Sequence, residues 1–502
     1  MTVLMTGATG FLGRALTLRL LAAGHTLRAW VRDPERARDQ LGPDVALVRA
    51  GGPEAWARAL AGVEGVVNLA GEPVMGRRWT ARRRARLTAS RVGVTRGLVA
   101  AIAALPAAAR PRVLLSASAV GYYGDRGDEP VDEHSSPGRD FLARLCLEWE
   151  QAASSAEALG VRVTTPRLGF VLGLGGGALA PLARLGRLGL GGPLGRGRQY
   201  VPWIHLEDAV AALATALIDE HYRGPINLTA PEPVRQRDLA RAVGRALHRP
   251  AFLPAPAAAL YLVLGTAATA LLHGQRARPR RLQELGFEFR HRFLDGALAD
   301  LLGAAAAVAI GPARDVPAEL GLRQRPPRSL LRQETVLAAS LEEVFRFFAD
   351  AENLGLLTPP DLRFRIVSPR PVRLAEGGGV EYTVRLGPLR VGWRTVIERF
   401  EPPLRFVDSQ AQGPYRTWWH EHRFRATSGG RTVMEDRVYY SVPLGLLGRV
   451  VNWLFVAPAL RRIFAYRAAA IRLRYGGAAP RAAAPAAEGA RLTPDLTPSR
   501  SY

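Results

Sequence analysis

The hydrophobic positions of the first 230 residues form short apolar runs that alternate with amphipathic stretches. Short apolar runs bounded by glycine or polar residues are typical of strands buried on both faces of a parallel sheet. The stretch FLGRALTLRLLAAG has helical spacing and stops at Gly24. The predicted strands are TVLMTG, HTLRAWV, GVVNLAG, RVLLSAS and VRVTTPRLG. This alternation predicts a doubly wound α/β domain, whose ligands bind at the carboxyl ends of its strands.

The pattern also suggests where that domain ends. Residues 231–303 are mostly helical in pattern and complete a domain that spans residues 1–303. Within it, residues 247–303 form a mostly helical extension. Residues 304–327 are rich in Ala, Pro and Gly and have no periodicity, which predicts a linker.

A different pattern begins at residue 328. One strand and one helix precede several strands in which aromatic and polar residues alternate, and an amphipathic helix follows at roughly 445–474. Residues 328–475 are therefore predicted to form an α+β domain, in which antiparallel strands grip one long helix. The remainder, residues 476–502, is rich in Ala, Pro, Gly and Thr and is predicted to be disordered.

Composition changes this picture little. The net charge of +24 rests on 68 basic residues, all of them Arg, because the sequence contains no Lys. We interpret this as a surface whose basic residues are Arg and expect no nucleic-acid partner, although such a charge can attract anionic ligands. The single cysteine, Cys146, excludes an internal disulfide framework. With no secretory pattern at the N-terminus, we expect a cytoplasmic protein.

One uncharged segment has the length of a membrane helix. Residues 251–274 contain no Asp, Glu, Lys or Arg, but they include two Pro and many Ala. These residues lower the hydrophobicity and favour a buried helix pair. We expect no membrane span.

A glycine motif at the start of the chain predicts a nucleotide site. MTGATGFLGRAL places Gly7, Gly10 and Gly13 between the first strand and the first helix. One glycine permits the tight turn, one lets the backbone approach a pyrophosphate, and one allows the helix to pack closely on the sheet. The helix N-terminus offers free N–H groups to that phosphate.

The end of the next strand bears on which cofactor binds. In RAWVRDPE the strand ends at Val31, where an acidic residue would bind a ribose 2′-hydroxyl. Arg32 follows and can pair with a 2′-phosphate, whereas Asp33 lies close enough to keep NAD as an alternative. We therefore expect NADP in preference to NAD.

The first 303 residues resemble a known family. The glycine motif, NLAG at 68–71, LLSASAVGYYG and VPWIHLEDAV resemble the extended short-chain dehydrogenases/reductases of the epimerase and dehydratase branch. NLAGEPV, RRWT, SR at 90–91, DFLARLCLEWE and PRLGFVLG are similar to an atypical bacterial subgroup, epimerase-family proteins of unassigned function. The resemblance implies a Rossmann-like fold. It also implies a cofactor site formed by Gly7, Gly10, Phe11, Leu12, Gly13, Arg32, Leu69, Ala70, Gly71, Ser116, Pro166 and Arg167.

The chain departs from the active members of that broader family in one place. They carry a Tyr-x-x-x-Lys pair on the helix after the serine strand, and the Lys lowers the pKa of the Tyr. Here Phe141 and Leu145 occupy the nearest alignment, and no Lys exists anywhere in the chain. Ser118, as a donor to a carbonyl, and Tyr123, from the GYYG loop, remain as catalytic candidates. Whether an acidic residue of this helix has taken over the acid–base role stays open.

An Arg-rich stretch follows the second family motif. Seven Arg lie between residues 77 and 91. We interpret most of them as a solvated helix face. Arg78 and Trp79, inside the motif RRWT, are our candidates for contact with the substrate.

The second domain has a resemblance of its own. Residues 328–475 resemble the START-like helix-grip superfamily, also called polyketide cyclase-like proteins, which implies an elongated apolar cavity for a hydrophobic ligand. Strand alternation places Trp418, His420 and His422 on one face, where they can contact such a ligand. Two His at this spacing can also bind a metal, but no third ligand is evident, so we expect no metal centre.

Two functions remain. The first is an NADP-dependent oxidoreductase or epimerase-like enzyme that acts on an unknown, hydrophobic carbonyl or hydroxyl small-molecule substrate. The alternative is a catalytically inactive NADP-binding sensor or regulatory protein, for which loss of the Tyr and Lys is expected. The sequence does not determine the oligomeric state.

Overall fold

A computed structural model of the chain describes residues 1–314, 316–321 and 326–476. The disordered tail predicted from residue 476 therefore lies outside the described residues, apart from Gly476 itself, and so does part of the predicted linker. The domain boundaries proposed at residues 303 and 328 stay predictions.

The first 303 residues contain fourteen strands and thirteen helices. The strands are β1 Thr2–Thr6, β2 Thr26–Val31, β3 Val45–Arg49, β4 Gly65–Asn68, β5 Val113–Ser116, β6 Ser118–Ala119, β7 Pro130–Val131, β8 Arg162–Leu168, β9 Phe170–Leu172, β10 Tyr200–Val201, β11 Trp203–His205, β12 Gly224–Leu228, β13 Val234–Arg235 and β14 Arg276–Ala277. The helices are α1 Phe11–Ala22, α2 Pro34–Leu41, α3 Pro53–Leu60, α4 Ala81–Thr88, α5 Val94–Ala103, α6 Phe141–Ser154, α7 Leu179–Arg187, α8 Leu206–Ile218, α9 Gln236–Leu247, α10 Ala257–Leu264, α11 Thr269–Leu272, α12 Arg280–Glu284 and α13 Leu294–Gly303.

Seven of these strands form the central sheet. Their order is β3, β2, β1, β4, β5, β8 and β12, with β6 paired to β8, and all the pairs are parallel. Every residue of β4 and β5 is buried, which explains why they appear in the sequence as unbroken apolar runs. The chain changes direction across the sheet between β1 and β4. This confirms the predicted doubly wound fold and places the ligand crevice at that switch point.

The uncharged segment 251–274 does not form one long helix. It contains α10 and α11, separated by a short 3₁₀ turn at Gly265–Ala268. Within the described parts of the chain, no helix is both long enough and apolar enough to cross a bilayer.

The second part of the chain forms an antiparallel sheet of eight strands. The strands are β15 Ala309–Pro312, β16 Ser329–Leu337, β17 Arg365–Ile366, β18 Gly379–Leu386, β19 Leu389–Glu401, β20 Arg405–Gln412, β21 Thr417–Ala426 and β22 Thr432–Ser441. Their order is β15, β16, β22, β21, β20, β19, β18 and β17. The helices are α14 Ala318–Gly321, α15 Leu341–Phe348, α16 Leu354–Leu357, α17 Gly445–Val451 and α18 Ala457–Tyr475.

The last helix packs on this sheet as the α+β prediction requires. Leu460 and Phe464 of α18 share a core cluster with Val438 and Tyr440 of β22. One difference concerns the predicted linker, because β15 lies inside it and forms the edge strand beside β16. Its sequence, AIGP, is too short and too poor in β-branched residues to predict a strand.

The two parts of the chain pack against each other. Arg14 of α1 is buried and donates a 2.7 Å hydrogen bond to the carbonyl oxygen of Gly355. Asp39 of α2 pairs with Arg370, and Arg472 of α18 lies 3.3 Å from both Glu207 and Asp300. Buried apolar side chains from both parts form one continuous core cluster.

Candidate nucleotide site

The turn between β1 and α1 can only be built with glycine. Gly7 has a φ of +69°, and a Cβ at Gly13 would lie 2.2 Å from the carbonyl oxygen of Gly7. A Cβ at Gly10 would lie 3.0 Å from the same oxygen. No side chain caps α1, so its first N–H groups remain available to an anion. The residues present therefore fit the pyrophosphate of a dinucleotide.

A cleft of about 540 Å³ extends from this turn along the carboxyl ends of β1, β4 and β5. Apolar side chains and glycines form most of its wall. Nine of the predicted site residues line it, and the structure thus brings together Gly7, Gly10, Phe11, Leu12, Gly13, Leu69, Ala70, Gly71 and Ser118.

Ser116 lies behind this wall. It is buried and accepts a 3.0 Å hydrogen bond from Nδ2 of Asn68, which also donates to Thr95. Thr6 donates a 2.6 Å hydrogen bond to Oδ1 of the same Asn68. These bonds fix the ends of β1, β4 and β5 relative to one another. Ser116 therefore supports the cleft from behind.

Arg167 and Pro166 lie on β8 and are also buried. The guanidinium of Arg167 donates two 2.8 Å hydrogen bonds to the carboxylate of Glu150, and this planar pair orients both groups. The cleft wall is instead formed by the next residues, Leu168 to Phe170. We find Arg167 in an internal ion pair, where the resemblance implied a cofactor contact.

The same ion pair holds both predicted catalytic residues. Ser118 donates a 2.6 Å hydrogen bond to Glu150 Oε1. Tyr123 receives a hydrogen bond from Arg167 and donates one of 2.7 Å to Asn227. Tyr123 is fully buried, and this burial raises the pKa of its hydroxyl. The structure therefore places Ser118 on the cleft and Tyr123 behind it, away from any substrate.

Arg32 and Asp33 differ in what they are free to bind. The Asp33 carboxylate caps α2, where it accepts a 3.1 Å hydrogen bond from the N–H of Arg36. Arg32 is exposed at the end of β2, and it has no ion-pair partner among the described residues. Of the two, Arg32 is the side chain left available to a ligand at this edge of the sheet.

Comparison with known proteins agrees with this geometry. Residues 3–227 match the NAD dependent epimerase/dehydratase family, and residues 255–301 match a domain of unknown function, DUF1731. The chain is 43% identical over 304 residues to the chloroplastic epimerase family protein SDR39U1 homolog of Arabidopsis thaliana, covering 60% of this chain and 87% of that one. It is 41% identical to epimerase family protein Mb2239 of Mycobacterium bovis, covering 59% and 96%.

The chain belongs to the epimerase family. Human epimerase family protein SDR39U1, whose crystal structure contains NADPH, superposes with a TM-score of 0.54 at 35% identity, over 60% of this chain and 99% of that one. MoeE5 in complex with UDP-glucuronic acid and NAD has a TM-score of 0.50 at 24% identity, over 60% and 98% of the two chains. The second likeness shows the fold alone. This epimerase-family chain is accordingly an NAD(P)-binding protein.

Helix α6 shows how this member of the epimerase family departs from the Tyr and Lys pattern. The side chains of α6 that line the cleft are those of Leu142, Leu145, Cys146 and Trp149, whereas Phe141 packs on Trp79 at 5.4 Å. Two cleft-facing pairs have a spacing of four: Leu145 with Trp149 and, one residue along from our alignment, Leu142 with Cys146. Burial, followed by the charge of Glu150, raises the pKa of the Cys146 thiol to about 12. Neither residue can exchange a proton at neutral pH.

The acidic residues of α6 have other tasks. Asp140 lines the cleft, but its Oδ1 accepts a 2.8 Å hydrogen bond from the N–H of Ala143 and so caps the helix. Glu148 is exposed, and Glu150 is held by Ser118 and Arg167. Of the three, only Asp140 faces the cleft.

Several polar residues of the epimerase-family cleft escaped the sequence analysis, Arg91 and His273 among them. Arg91 lines the cleft and donates a 2.9 Å hydrogen bond to the carbonyl oxygen of Glu72; burial lowers its pKa. His273 is the single histidine among the described residues that line the cleft, and it lies in the helical extension. Arg91 belongs to the SR pair at 90–91 that carries part of the family resemblance, and this was the available signal. His273 lies in an irregular segment and gave none.

Arg78 and Trp79 do not line the cleft. Arg78 Nε donates a 3.0 Å hydrogen bond to the carbonyl oxygen of Val263 in α10. Trp79 is buried and donates a 3.0 Å hydrogen bond to the carbonyl oxygen of Val74, a residue of the cleft wall. Trp79 thus holds the wall from behind, Arg78 binds α10, and neither residue lines the cleft.

The second part of the chain contains a separate cavity of about 110 Å³ between the antiparallel sheet and α18. Trp418, His420 and His422 all line it, as does Asp408 of β20. Burial, with the neighbouring His422 imidazole, lowers the pKa of His420 to about 4. The three predicted residues of β21 thus line one cavity.

Proposed function

We propose that this chain is an NADP(H)-dependent oxidoreductase that acts on an apolar carbonyl or hydroxyl compound. The observation that carries the proposal is the shape of the 540 Å³ cleft, which continues from the glycine turn past Ser118 to His273. Ser118 and His273 thus line the same space as the glycine turn. NADPH, when bound, supplies the hydride.

The chain's own residues would divide the remaining work. The glycine turn and the N-terminus of α1 bind the pyrophosphate, and the apolar wall from Leu142 to Trp149 excludes water. Ser118 turns its hydroxyl hydrogen from Glu150 to the substrate oxygen, while Arg167 keeps Glu150 in place. His273 is our candidate for the proton donor, because Tyr123 is buried away from the cleft.

NADP is preferred to NAD in this proposal because Arg32 is free and Asp33 is not. A guanidinium at this position pairs with a 2′-phosphate, whereas the Asp33 carboxylate already accepts a hydrogen bond from the N–H of Arg36. The NADPH bound to the human relative supports the same choice.

The second domain would serve as a START-like helix-grip module. Its support is the antiparallel sheet closed by one long helix, with an aromatic cavity between them. We propose that this cavity binds a hydrophobic ligand. The packing of α18 against α1 would keep the two ligand sites in one rigid unit.

The cofactor preference is tested by titrating the protein with NADPH and with NADH and following the nucleotide fluorescence. We expect NADPH to bind at least about tenfold more tightly, and Arg32→Gln to remove this difference. Arg19→Gln is the matched control, because Arg19 is exposed at the far end of α1. Equal affinities in the unmodified protein would contradict the choice of NADP.

Turnover is tested by NADPH consumption with a panel of apolar aldehydes and ketones. We expect slow oxidation of NADPH, and we expect its rate to fall at least about tenfold in His273→Gln without a change in NADPH affinity. The alternative, an NADP-binding sensor, is favoured by the commitment of Ser118 to Glu150. Binding of NADPH without consumption across the panel would support the sensor and contradict the enzyme.

A further inference from the structure

Four ionisable residues on three neighbouring strands lie together at the cavity of the second domain, and three of them line it. Asp408 of β20 stands directly opposite His420 of β21, and His422 stands directly opposite Asp436 of β22. All four side chains share one face of the sheet, and those of His420, His422 and Asp436 are at least nine-tenths buried. Such a cluster needs an explanation, since buried charges are costly unless they are paired.

The Asp436 carboxylate fixes the orientation of both imidazoles. His420 Nε2 and His422 Nδ1 lie 3.0 Å and 2.9 Å from the same oxygen, Asp436 Oδ1. Because a carboxylate only accepts hydrogen bonds, it draws the ring hydrogens of both histidines to this side. Arg467 lies 3.4 Å from this oxygen and 3.3 Å from His422 Nδ1, and the carboxylate is the stronger acceptor for its N–H.

The other side of the two rings then presents lone pairs. His420 Nδ1 and His422 Nε2 lie 3.6 Å and 3.2 Å from Asp408 Oδ2. With both ring hydrogens on the Asp436 side, the three converging atoms are all acceptors. Ligand atoms bound to one tetrahedral zinc ion are separated by about 3.4 Å, given metal–ligand bonds of about 2.1 Å. The two measured separations bracket that value.

We propose that Asp408, His420 and His422 bind one divalent transition-metal ion, with zinc as the ion that two imidazole nitrogens and one carboxylate oxygen suit best. Asp436 acts as the positioning residue, because it orients both ligands in the carboxylate–histidine–metal arrangement. The two Asp and Arg467 carry a net charge of −1 between them, which a dication offsets.

The site is of the open kind. Three protein ligands leave one coordination position free, as in catalytic zinc sites, whereas structural sites use four. Asp408, His420 and His422 all line the cavity, so that position opens on a space lined by Tyr382, Trp418 and other apolar side chains. The ligand class it fits is an apolar molecule that carries an oxygen donor.

A second cluster in the chain is a weaker candidate for the same ion. His205, His291 and Asp300 also bring three ligand atoms close together. Arg472 already lies 3.3 Å from Asp300, and Arg290 lies 3.0 Å from the adjacent Glu207. Guanidinium groups therefore occupy the positions from which these carboxylates would attract a metal. The cluster at Asp408 has no such partner on its ligand side among the described residues.

The test uses the full chain, stripped with a chelator and dialysed against Zn²⁺ or Co²⁺. We expect one metal ion per chain by elemental analysis, and a visible Co²⁺ spectrum of tetrahedral intensity. Asp408→Asn and His422→Gln should each weaken binding at least about hundredfold. The controls are Asp350→Asn and His291→Gln, and both should bind the metal as the unmodified chain does. Asp350 lines the same cavity and accepts a hydrogen bond from the N–H of Glu352, and His291 belongs to the second cluster.

Three outcomes would overturn the assignment. They are an unmodified chain that retains less than about a tenth of an equivalent of metal, an Asp408→Asn variant with unchanged affinity, and loss of metal in His291→Gln. Circular dichroism identifies any variant that fails to fold, and the Co²⁺ spectrum of the unmodified chain decides the matter without one. NADPH titration of the same samples keeps this result separate from the proposed function, on which the metal site does not depend.

Discussion

At the scale of single residues, the nucleotide site depends on three residues that have no Cβ. Gly7, Gly10 and Gly13 bring backbone atoms so close together that a Cβ at Gly13 would come within 2.2 Å of a carbonyl oxygen. Contacts this short cannot relax by rotating a side chain, since both partners are backbone. A residue with a Cβ therefore cannot replace Gly13 unless the backbone of the turn changes shape.

Gly13→Ala should weaken NADPH binding at least about tenfold and lower the free energy of unfolding by about 1 to 3 kcal/mol, as overpacking does. Fluorescence titration and urea unfolding measure the two effects. Gly296→Ala is the control, because Gly296 lies in helix α13 and a Cβ added there would meet nothing within 4 Å. That variant should be neutral or slightly stabilising. An unchanged NADPH affinity in Gly13→Ala would refute our account of the turn.

At the scale of elements, helix α6 explains why the cleft has lost its usual acid and base. Asp140 caps the helix, and its cleft-facing side carries Leu142, Leu145, Cys146 and Trp149. Glu150 faces the sheet, where Ser118 and Arg167 hold it. The helix thus packs against the cleft, and Asp140 is the one acidic residue of this segment that lines it.

The Cys146 thiol should be almost unreactive in the folded protein. Its pKa of about 12, raised mainly by burial, means that the thiolate fraction stays small and rises about tenfold per pH unit from pH 7 to 10 without a plateau. Alkylation by iodoacetamide at pH 8 should be at least about a hundredfold slower than in the urea-unfolded chain. The chain has a single Cys, so mass spectrometry follows this one site. A native rate within tenfold of the unfolded rate would contradict the burial.

At the scale of the whole molecule, buried ion pairs join the two halves of the chain. Arg472 of α18 is almost fully buried between Glu207 and Asp300 of the first half. Burial alone would raise the pKa of Glu207, but the His291 imidazole, 3.7 Å away, and the charge of Arg472 hold it well below its usual range. The carboxylates are thus charged at neutral pH and depend on the guanidinium.

Arg472→Gln should lower the free energy of unfolding by about 3 to 5 kcal/mol at pH 7, because it leaves buried carboxylates without their partner. Since the folded pKa of Glu207 is depressed, this stabilisation is present above the ordinary carboxyl pKa of about 4.3 and is lost as the pH falls below it. The difference from the unmodified chain should therefore begin to shrink as the pH falls below about 5, and it should keep shrinking below about pH 3 towards the depressed folded pKa of Glu207.

Arg462→Gln is the control on the same helix. Its ion pair with Asp361 is largely exposed, so the loss should stay below about 1 kcal/mol. Urea unfolding across the pH series measures both variants. Equal effects of the two substitutions would show that Arg472 does not join the halves.

The sequence alone determined the sheet and the nucleotide turn, because both depend on local patterns. Apolar runs mark strands buried on both faces, and three glycines between a strand and a helix mark a close backbone approach. The alternation along β21 likewise placed Trp418, His420 and His422 on one face.

Only the tertiary structure decided which side chains meet across elements. The sequence predicted that Tyr123 and Arg167 belong to the nucleotide site. In the structure they form a buried network with Glu150 and Asn227. His273 reaches the cleft through an irregular segment. Asp408 completes the group at His420 and His422 through strand register, which depends on pairing between chain segments distant in sequence and leaves no periodic trace in either one.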